Sequence, residues 1–325
     1  MSLRMIPRVS ILIPTINRGH LLDKSLYLLT KQTVQDFEVI ILDDDSQDAS
    51  MYIAQKYMDH IHLRYFLFQG KSSRPEHLRY SSAGRLLNFG VRSIATSNLI
   101  LYTDPEVMPL PTFVEQHILS HTPGYVITDP EFIAKGIPGD SSEAPIVIQD
   151  DVSYIVKGLS YKLWKEHVKH FGRFEDHDWS DILGTWNNLW ARTLTLPTNY
   201  FGEVRDYSYR HGSQDFWGFC GSQGGLSFDR DKFIQMGGYD EDIDSPGEWG
   251  GEDSELYIRQ NNHGLRLIEN ANARAIHVYH PKPGYNTKKF DRIRAIANDP
   301  THLYANQERS DWGGWKQGIY EVDLG

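Results

Sequence analysis

Short apolar runs alternate with amphipathic segments along positions 9–120. Runs such as 9–13 and 37–42 end at a proline or at acidic residues, as buried strands often do. Segments such as 20–33 place leucines at helical spacing. The pattern predicts strands at 9–13, 37–42, 62–68 and 99–103, and helices at 20–33, 48–57, 82–95 and 109–120. This alternation predicts an α/β fold whose mostly parallel sheet is flanked by helices.

The alternation is lost between 130 and 220, where Trp, Tyr, His and Gly are frequent, and we expect helices and long loops beside the sheet. Trp186, Trp190 and Trp217 could bind an acceptor there, although packing in the core is the more frequent role of such residues. From 221 the pattern predicts strands at 226–228, 265–268 and 273–278 and helices at 230–236 and 252–263. The chain thus divides into 1–125, an aromatic-rich insertion at 126–220, a segment at 221–285 and an irregular tail at 286–325.

Polar side chains follow three of the predicted strands. They are Pro14 and Thr15, then the acidic run 43–46, then Asp104 and Glu106. In sheets of this type, ligands bind at the carboxyl ends of the strands. Asp104 and Glu106 could both face a cleft and bind Mn²⁺ or Mg²⁺, although acidic pairs after strands are often only solvated turns.

Carboxylates at 252 and 253 form a second acidic group. They follow Trp249 and two glycines and precede a predicted helix, so Asp253 or Glu252 could take a proton from an acceptor hydroxyl, or could only cap the helix. His277 and His280 at a strand end could complete a metal site.

The net charge, the number of cysteines and the length of the apolar runs argue against several classes of protein. The formal net charge of −10 and the absence of a basic patch argue against nucleic-acid binding. Cys220 is the only cysteine, so no internal disulfide can form. There is no apolar run near 18 residues and no signal-peptide pattern, so we expect a cytoplasmic protein without a transmembrane segment, compatible with surface contact with a membrane.

Taken together, these motifs resemble the nucleotide-sugar glycosyltransferases of the GT-A fold, which is Rossmann-like, and in particular the family-2 type. The resemblance rests on 9–15, 37–46, 85–90 and 104–106. The later motif, 224–241 followed by 249–253, resembles the galactosyltransferase and polypeptide N-acetylgalactosaminyltransferase groups. The resemblance as a whole implies that 1–125 is the nucleotide-binding half of the domain and that 221–285 is the acceptor and catalytic half.

The resemblance also implies roles for individual residues. Pro14, Thr15, Asp43, Asp44 and Asp104 would border the nucleotide, with Arg85 close by. Asp104 and Glu106 would form the Asp-x-Asp metal motif, in which Glu106 replaces the usual second Asp, and His277, or alternatively His280, would add a metal ligand. Gly224, Gly225, Trp249 and Glu252 would lie beside the donor or acceptor sugar, and Asp253 would be the catalytic base.

The implied function is the metal-dependent transfer of a sugar, with Mn²⁺ or Mg²⁺, from a nucleotide sugar such as a UDP-sugar. The acceptor would be the hydroxyl of a glycan or other molecule, and the configuration would be inverted. One alternative is a retaining transferase, since the related polypeptide-modifying enzymes retain configuration. Another is a catalytically silent carbohydrate-binding protein. A nucleotidyltransferase or hydrolase of nucleotide sugars would need a basic, glycine-rich phosphate loop after the first strand, for which Arg18 and Gly19 are insufficient.

Overall fold

A computed structural model describes nine stretches of the chain, and every structural statement below concerns them. They are residues 7–70, 83–127, 145–163, 173–193, 225–241, 255–256, 259, 263–278 and 318–324.

Eleven strands and six α-helices make up the regular structure of this described part. The strands are β1 (Val9–Thr15), β2 (Phe37–Asp43), β3 (His62–Phe68), β4 (Leu99–Tyr102), β5 (Val107–Pro109), β6 (Val126–Ile127), β7 (Ile146–Val147), β8 (Tyr154–Leu163), β9 (Leu226–Asp229), β10 (Arg266–Val278) and β11 (Ile319–Glu321). The helices are α1 (Gly19–Leu29), α2 (Ser50–Gln55), α3 (Ala83–Phe89), α4 (Phe113–Leu119), α5 (Ile182–Thr193) and α6 (Arg230–Gln235). A π-helical turn (Gly90–Ile94) continues α3, and a 3₁₀ turn (Phe174–Asp176) precedes α5.

Nine of the strands form one sheet in the order β11-β3-β2-β1-β4-β9-β8-β10-β5. Strands β3, β2, β1 and β4 are parallel neighbours, as are β8 and β10, and the remaining pairs are antiparallel. The predicted α/β class with helices flanking a sheet is confirmed, and β1 to β4 lie where the apolar runs predict them. Strands β6 and β7 pair separately.

Several strand predictions need correction. Strand β11 lies in the tail that is expected to be irregular and pairs with β3, and β5 ends at Pro109, where a helix is expected to begin. The periodic pattern predicts no strand within 126–220, whereas β8 lies inside the main sheet between β9 and β10. Lys157 and Gly158 interrupt its apolar run, so the strand pattern is weak in the sequence. The two strands predicted at 265–268 and 273–278 are one strand, β10, which an irregularity between Asn270 and Arg274 interrupts.

Both faces of the sheet are covered, because all residues of β1 and β2 are buried. On one face, Leu12 and Ile40 pack in a cluster that includes Leu87 of α3 and Phe233 of α6. On the other face, side chains of the same strands pack against α1 and α4, in a cluster that includes Ile11, Ile41, Leu26 and Val114. Because helices cover both faces of the sheet, polar groups can gather at the ends of its strands. No helix in the described stretches is long and apolar enough to cross a membrane.

Candidate active site

The carboxyl ends of β1, β2 and β4 meet at one edge of the sheet. The parallel register pairs Thr15 with Asp43 and Leu12 with Tyr102, so the residues that follow these strands emerge side by side. Asp104 comes two positions after Tyr102, whose hydroxyl donates a hydrogen bond of 2.7 Å to Asp104 Oδ1. The structure thus brings together Thr15, Asp43 and Asp104, as the alternation of strands and helices predicts.

Asp43 is a buried carboxylate with two donors. The hydroxyl of Tyr65, on β3, donates to its Oδ2, and the Ser46 backbone N–H donates to its Oδ1 at 2.8 Å. Burial, with only 1% of Asp43 exposed, raises the pKa of its carboxyl, and the hydrogen bonds from Ser46 and Tyr65 oppose that rise. The neighbouring Asp44 is also buried, and its N–H donates to the Thr15 carbonyl at 2.9 Å. Asp43 and Asp44 are therefore rigidly placed at the edge.

The loops after β1 and β2 are joined to each other. The Asn17 N–H donates to Ser46 Oγ at 2.9 Å, and the Gln47 N–H donates to Asn17 Oδ1 at 2.7 Å. Asn17 and Asp45 both have positive φ, 51° and 66°, in the left-handed region, which Asn and Asp adopt more readily than other non-glycine residues. The hydrogen bonds of Asn17 hold the two loops in these conformations. Pro14 is the penultimate residue of β1 and lies beside this joined pair of loops.

Asp104, Glu106 and His277 form a cluster of possible metal ligands. Each contributes one ligand atom, and these atoms lie within 4.8 Å of one another. Glu106 directly precedes β5, which pairs antiparallel with β10 so that His277 lies opposite Val107. The Val278 N–H donates to the Glu106 carbonyl at 2.9 Å, which fixes the Glu106 backbone beside His277.

The donor set of this cluster fits a divalent cation. Two carboxylate oxygens and one imidazole nitrogen suit Mn²⁺, and carboxylates also suit Mg²⁺. One ion with bonds of about 2.1 Å can contact ligand atoms that are up to about 4.2 Å apart. Ligand atoms that all lie within 4.8 Å of one another are close to that range, so the residues present fit the ion.

Arg85 on α3 is engaged with the chain itself. Its Nη2 donates to the Glu241 carbonyl at 3.0 Å, and its Nε lies 3.3 Å from Glu241 Oε2. Only 6% of Arg85 is exposed. A contact between Arg85 and the nucleotide stays a prediction.

Gly225 lies at the same edge, just before β9, whose Leu226 pairs with Tyr102. Its φ is +83°, and a Cβ placed there would lie 2.5 Å from the ring of Phe113. Glycine is therefore required at this position for reasons of backbone and space, and its proposed place beside a sugar stays a prediction.

Five predicted site residues lie outside the described residues, namely Gly224, Trp249, Glu252, Asp253 and His280. Of the three candidate acceptor platforms, Trp186 is 3% exposed and packs in a cluster with Met108 and Ile276. It is a core residue that packs against β5 and β10, and the ends of these two strands carry Glu106 and His277 of the candidate ligand cluster.

Sequence reasoning missed the tyrosines that hold the two key carboxylates. Tyr65 bonds Asp43, and Tyr102 bonds Asp104. Tyr102 is the last residue of β4 and lies two residues before Asp104, which is a usable signal because side chains two apart in extended chain share a face. Tyr65 carries no comparable signal, since it comes from another strand.

Comparisons with known proteins agree with this architecture. Residues 10–137 match Glycosyl transferase family 2, and residues 204–281 match the N-terminal domain of galactosyltransferase. Validoxylamine A glucosyltransferase of Streptomyces hygroscopicus subsp. jinggangensis (strain 5008) is 27% identical over 290 residues, which are 85% of this chain and 57% of that protein. Chondroitin synthase of Pasteurella multocida (strain Pm70) is 24% identical over 291 residues, 87% of this chain and 26% of that protein. The chain spans about half the length of the first of these relatives.

A solved structure shares the fold. The structure of S. aureus TarS 1-349 in complex with UDP-GlcNAc has a TM-score of 0.52 at 13% identity, and the match covers 93% of this chain and 70% of that one. The predicted resemblance to GT-A fold glycosyltransferases of the family-2 type, with a galactosyltransferase-like carboxyl-terminal segment, is confirmed.

Proposed function

We propose that the protein transfers a sugar from a nucleotide sugar, a UDP-sugar first among those to test, to an acceptor hydroxyl with inversion of configuration. The observation that carries the proposal is the convergence of Asp104, Glu106 and His277, at the same edge of the sheet as the buried Asp43. The relatives named as glucosyltransferase and synthase support the reaction class, and the acceptor would be a glycan or another hydroxyl compound.

Binding of the nucleotide falls to the ends of the parallel strands. Pro14, Thr15, Asp43 and Asp44 border it. The carboxylates of Asp43 and Asp44 accept hydrogen bonds from the base or the ribose. The hydrogen bonds of Asp43 with Ser46 and of Asp44 with Thr15 keep both residues in place when no nucleotide sugar is bound. A negatively charged diphosphate next to these carboxylates requires a compensating positive charge.

That charge would come from a divalent cation. Asp104, Glu106 and His277 would hold Mn²⁺ or Mg²⁺, with His280 as the alternative imidazole. The bound ion supplies neutralisation of the diphosphate leaving group. Tyr102 keeps one oxygen of Asp104 in a hydrogen bond and so orients the carboxylate.

Asp253 would act as the base. It takes the proton from the acceptor hydroxyl, whose oxygen attacks the anomeric carbon opposite the diphosphate. Glu252, Trp249, Gly224 and Gly225 would hold the sugars around that carbon. Exchange of Asp253 for Asn should abolish transfer and leave donor binding intact.

The first experiment incubates the protein with individual UDP-sugars, Mn²⁺ and candidate hydroxyl acceptors, and measures release of UDP. Asp253→Asn should release none while binding UDP as the unchanged protein does. Asp36→Asn serves as the control, because it removes a half-exposed carboxylate from the opposite end of β2. Turnover by Asp253→Asn would remove Asp253 as the base. Sugar binding without UDP release from any nucleotide sugar would favour a carbohydrate-binding protein.

A second experiment addresses the metal and the stereochemistry. Glu106→Gln and His277→Gln should each weaken Mn²⁺ binding at least about tenfold, since even residues outside the ligand set have effects of about that size. Unchanged Mn²⁺ affinity in both variants would contradict the site. The anomeric configuration of the product, read by NMR, should be opposite to that of the donor, and a retained configuration would overturn inversion.

A further inference from the structure

A short turn at 236–241, called here the anchor turn, is bound by two separate groups of buried polar side chains. It follows α6 and contains Gly237 and Gly238, whose φ values are 94° and 71°. The first group comes from α3 and the second from residues 255 and 259. The anchor turn therefore connects parts of the chain that are far apart in sequence.

The group from α3 holds the carboxyl-terminal half of the anchor turn. Asn88 donates from Nδ2 to the Tyr239 carbonyl at 2.9 Å and accepts the Tyr239 N–H on Oδ1, also at 2.9 Å. Its Nδ2 also donates to Glu241 Oε1 at 2.9 Å. Arg85, one helical turn earlier, forms the ion pair with Glu241. One amide and one guanidinium thus fix both backbone and side chain of this half.

The second group holds the amino-terminal half of the same turn. Arg259 donates to the carbonyls of Met236 and Gly238. Its guanidinium also forms an ion pair with Glu255, with Nη2 2.9 Å from Oε2. Arg259 and Glu255 are 1% and 0% exposed.

The two groups bracket the segment that carries the proposed base. Segment 242–254 begins directly after Glu241, which belongs to the anchor turn, and ends directly before Glu255, which is bound to the anchor turn only through Arg259. Glu252 and Asp253 lie in this segment. Buried ion pairs are a costly way to stabilise a fold, because both charges lose their hydration. A role in positioning explains better why two of them meet at one turn.

We propose that Arg85, Asn88 and Arg259 are positioning residues, which hold both ends of segment 242–254 through the anchor turn and so place Asp253 against the acceptor. Arg85 acts through Glu241 and not by contacting the nucleotide. The proposal rests on the proposed function for the role of Asp253, and on the contacts alone for the anchoring.

The central variant is Glu241→Gln, which keeps the shape of the side chain and an acceptor for Asn88 but removes the charge that faces Arg85. We expect kcat to fall between about 10-fold and 100-fold, the cost of a small misplacement of a reacting group. The affinity for UDP with Mn²⁺ should stay within about twofold of the unchanged protein, because the nucleotide residues are not displaced. Arg85→Lys should behave in the same way, and the double variant should lose little more than either single one.

Arg230→Lys is the matched control. Arg230 on α6 donates to the carbonyls of Val91 and Arg92 at 2.8 and 3.1 Å, so it joins α6 to the turn after α3. It is Arg92, and not Arg230, that donates to the anchor turn, at 3.2 Å to the Gly237 carbonyl. This variant should keep kcat. A loss of UDP affinity in Arg85→Lys that Glu241→Gln does not share would show a direct nucleotide contact and overturn the proposal. Unchanged kcat in the folded Glu241→Gln variant would overturn it as well.

Hydrogen exchange measured without substrate separates this proposal from the proposed function. Glu241→Gln should speed exchange in peptides that cover 242–254, and peptides that cover 9–15 should not change. If the unchanged protein releases no UDP but exchange responds in this way, the proposed function fails and the anchoring stands. If exchange in 242–254 does not respond, the anchoring fails whatever the activity shows.

Discussion

Acidification should destabilise the protein through His121, which lies just after α4. His121 Nε2 and His117 Nδ1 both hydrogen-bond to Ser227 Oγ, at 2.9 and 2.8 Å. Burial lowers the pKa of His121 from its usual 6.5 to about 4, because the charged imidazole would lose its hydration. The folded protein therefore keeps His121 neutral, while the unfolded chain binds a proton below about pH 6.5. The stabilising effect is complete above that pH and is lost as the pH falls towards 4.

The size of the effect follows from the two pKa values. At about pH 5, the unfolded chain gains about 2 kcal/mol from protonation that the folded protein cannot match. His121 also lines a pocket of about 550 Å³ at the amino end of β4, so solvent reaches part of the ring. Allowing for that screening, we expect a loss of about 1 to 2 kcal/mol in the free energy of unfolding between about pH 7.5 and pH 5.

Urea unfolding of the unchanged protein and of His121→Gln across this pH range tests the prediction. Glutamine keeps an N–H that can reach Ser227 but does not titrate. The free energy of unfolding of His121→Gln should therefore change less between about pH 7.5 and pH 5 than that of the unchanged protein, by about 1 to 2 kcal/mol. Groups such as Asp43 titrate in both proteins and cancel in the difference. Parallel curves for the two proteins would refute the reasoning, because they would mean that His121 has the same pKa in the folded and unfolded chain.

Two further predictions concern the anchor turn and the nucleotide edge. Gly238→Ala should lower the free energy of unfolding by about 2 to 4 kcal/mol, because it combines a left-handed φ of +71° with a Cβ only 2.3 Å from Asn88 Oδ1. Gly264→Ala is its control in urea unfolding, since it shares the φ of +71° but has open space around it, and an equal loss in both variants would contradict the clash. Tyr65→Phe should cost about 1 to 3 kcal/mol and weaken UDP binding, because the buried Asp43 loses a donor. Unfolding and UDP titration at neutral pH check this, and unchanged values in both would show that Asp43 does not depend on Tyr65.

The sequence predicts the parallel part of the sheet well because its signals are local. Strands β1, β2 and β4 are mostly apolar, with Ser10 and Glu38 as interruptions, and proline or an acidic residue lies at or within two residues of each carboxyl end. The rule that parallel strands place their carboxyl ends at one edge then brings Thr15, Asp43 and Asp104 together without further information.

The half of the sheet from β9 to β5 is harder to predict, because its signals depend on distant partners. Strand β8 contains Lys157, which is 1% exposed, and Gly158, so its sequence does not read as a buried strand. Strand β10 contains an irregularity between Asn270 and Arg274 that splits its apolar pattern into two pieces. Hydrophobic periodicity cannot identify such strands, because what makes them strands is the neighbour with which they pair.

Arg85 illustrates a limit of a different kind. An arginine at the start of a helix near acidic loops is compatible with a phosphate contact, with solvent exposure or with a buried ion pair, and the residue type does not separate these. The structure provides Glu241 as a partner from far along the chain, and only that partner makes the positioning role arguable.

Glu106 shows how the pairing of strands can compensate for a change of residue type. The longer side chain replaces the aspartate usual in the resembled motif, which taken alone puts its contact with a metal in doubt. In the structure, however, the Glu106 carbonyl accepts the N–H of Val278, and the next residue lies opposite His277. The backbone of Glu106 is therefore tied to the strand that carries the third ligand, so the longer arm starts from a fixed point. The β5–β10 pairing thus determines whether Glu106 reaches the cluster as much as the choice of glutamate does.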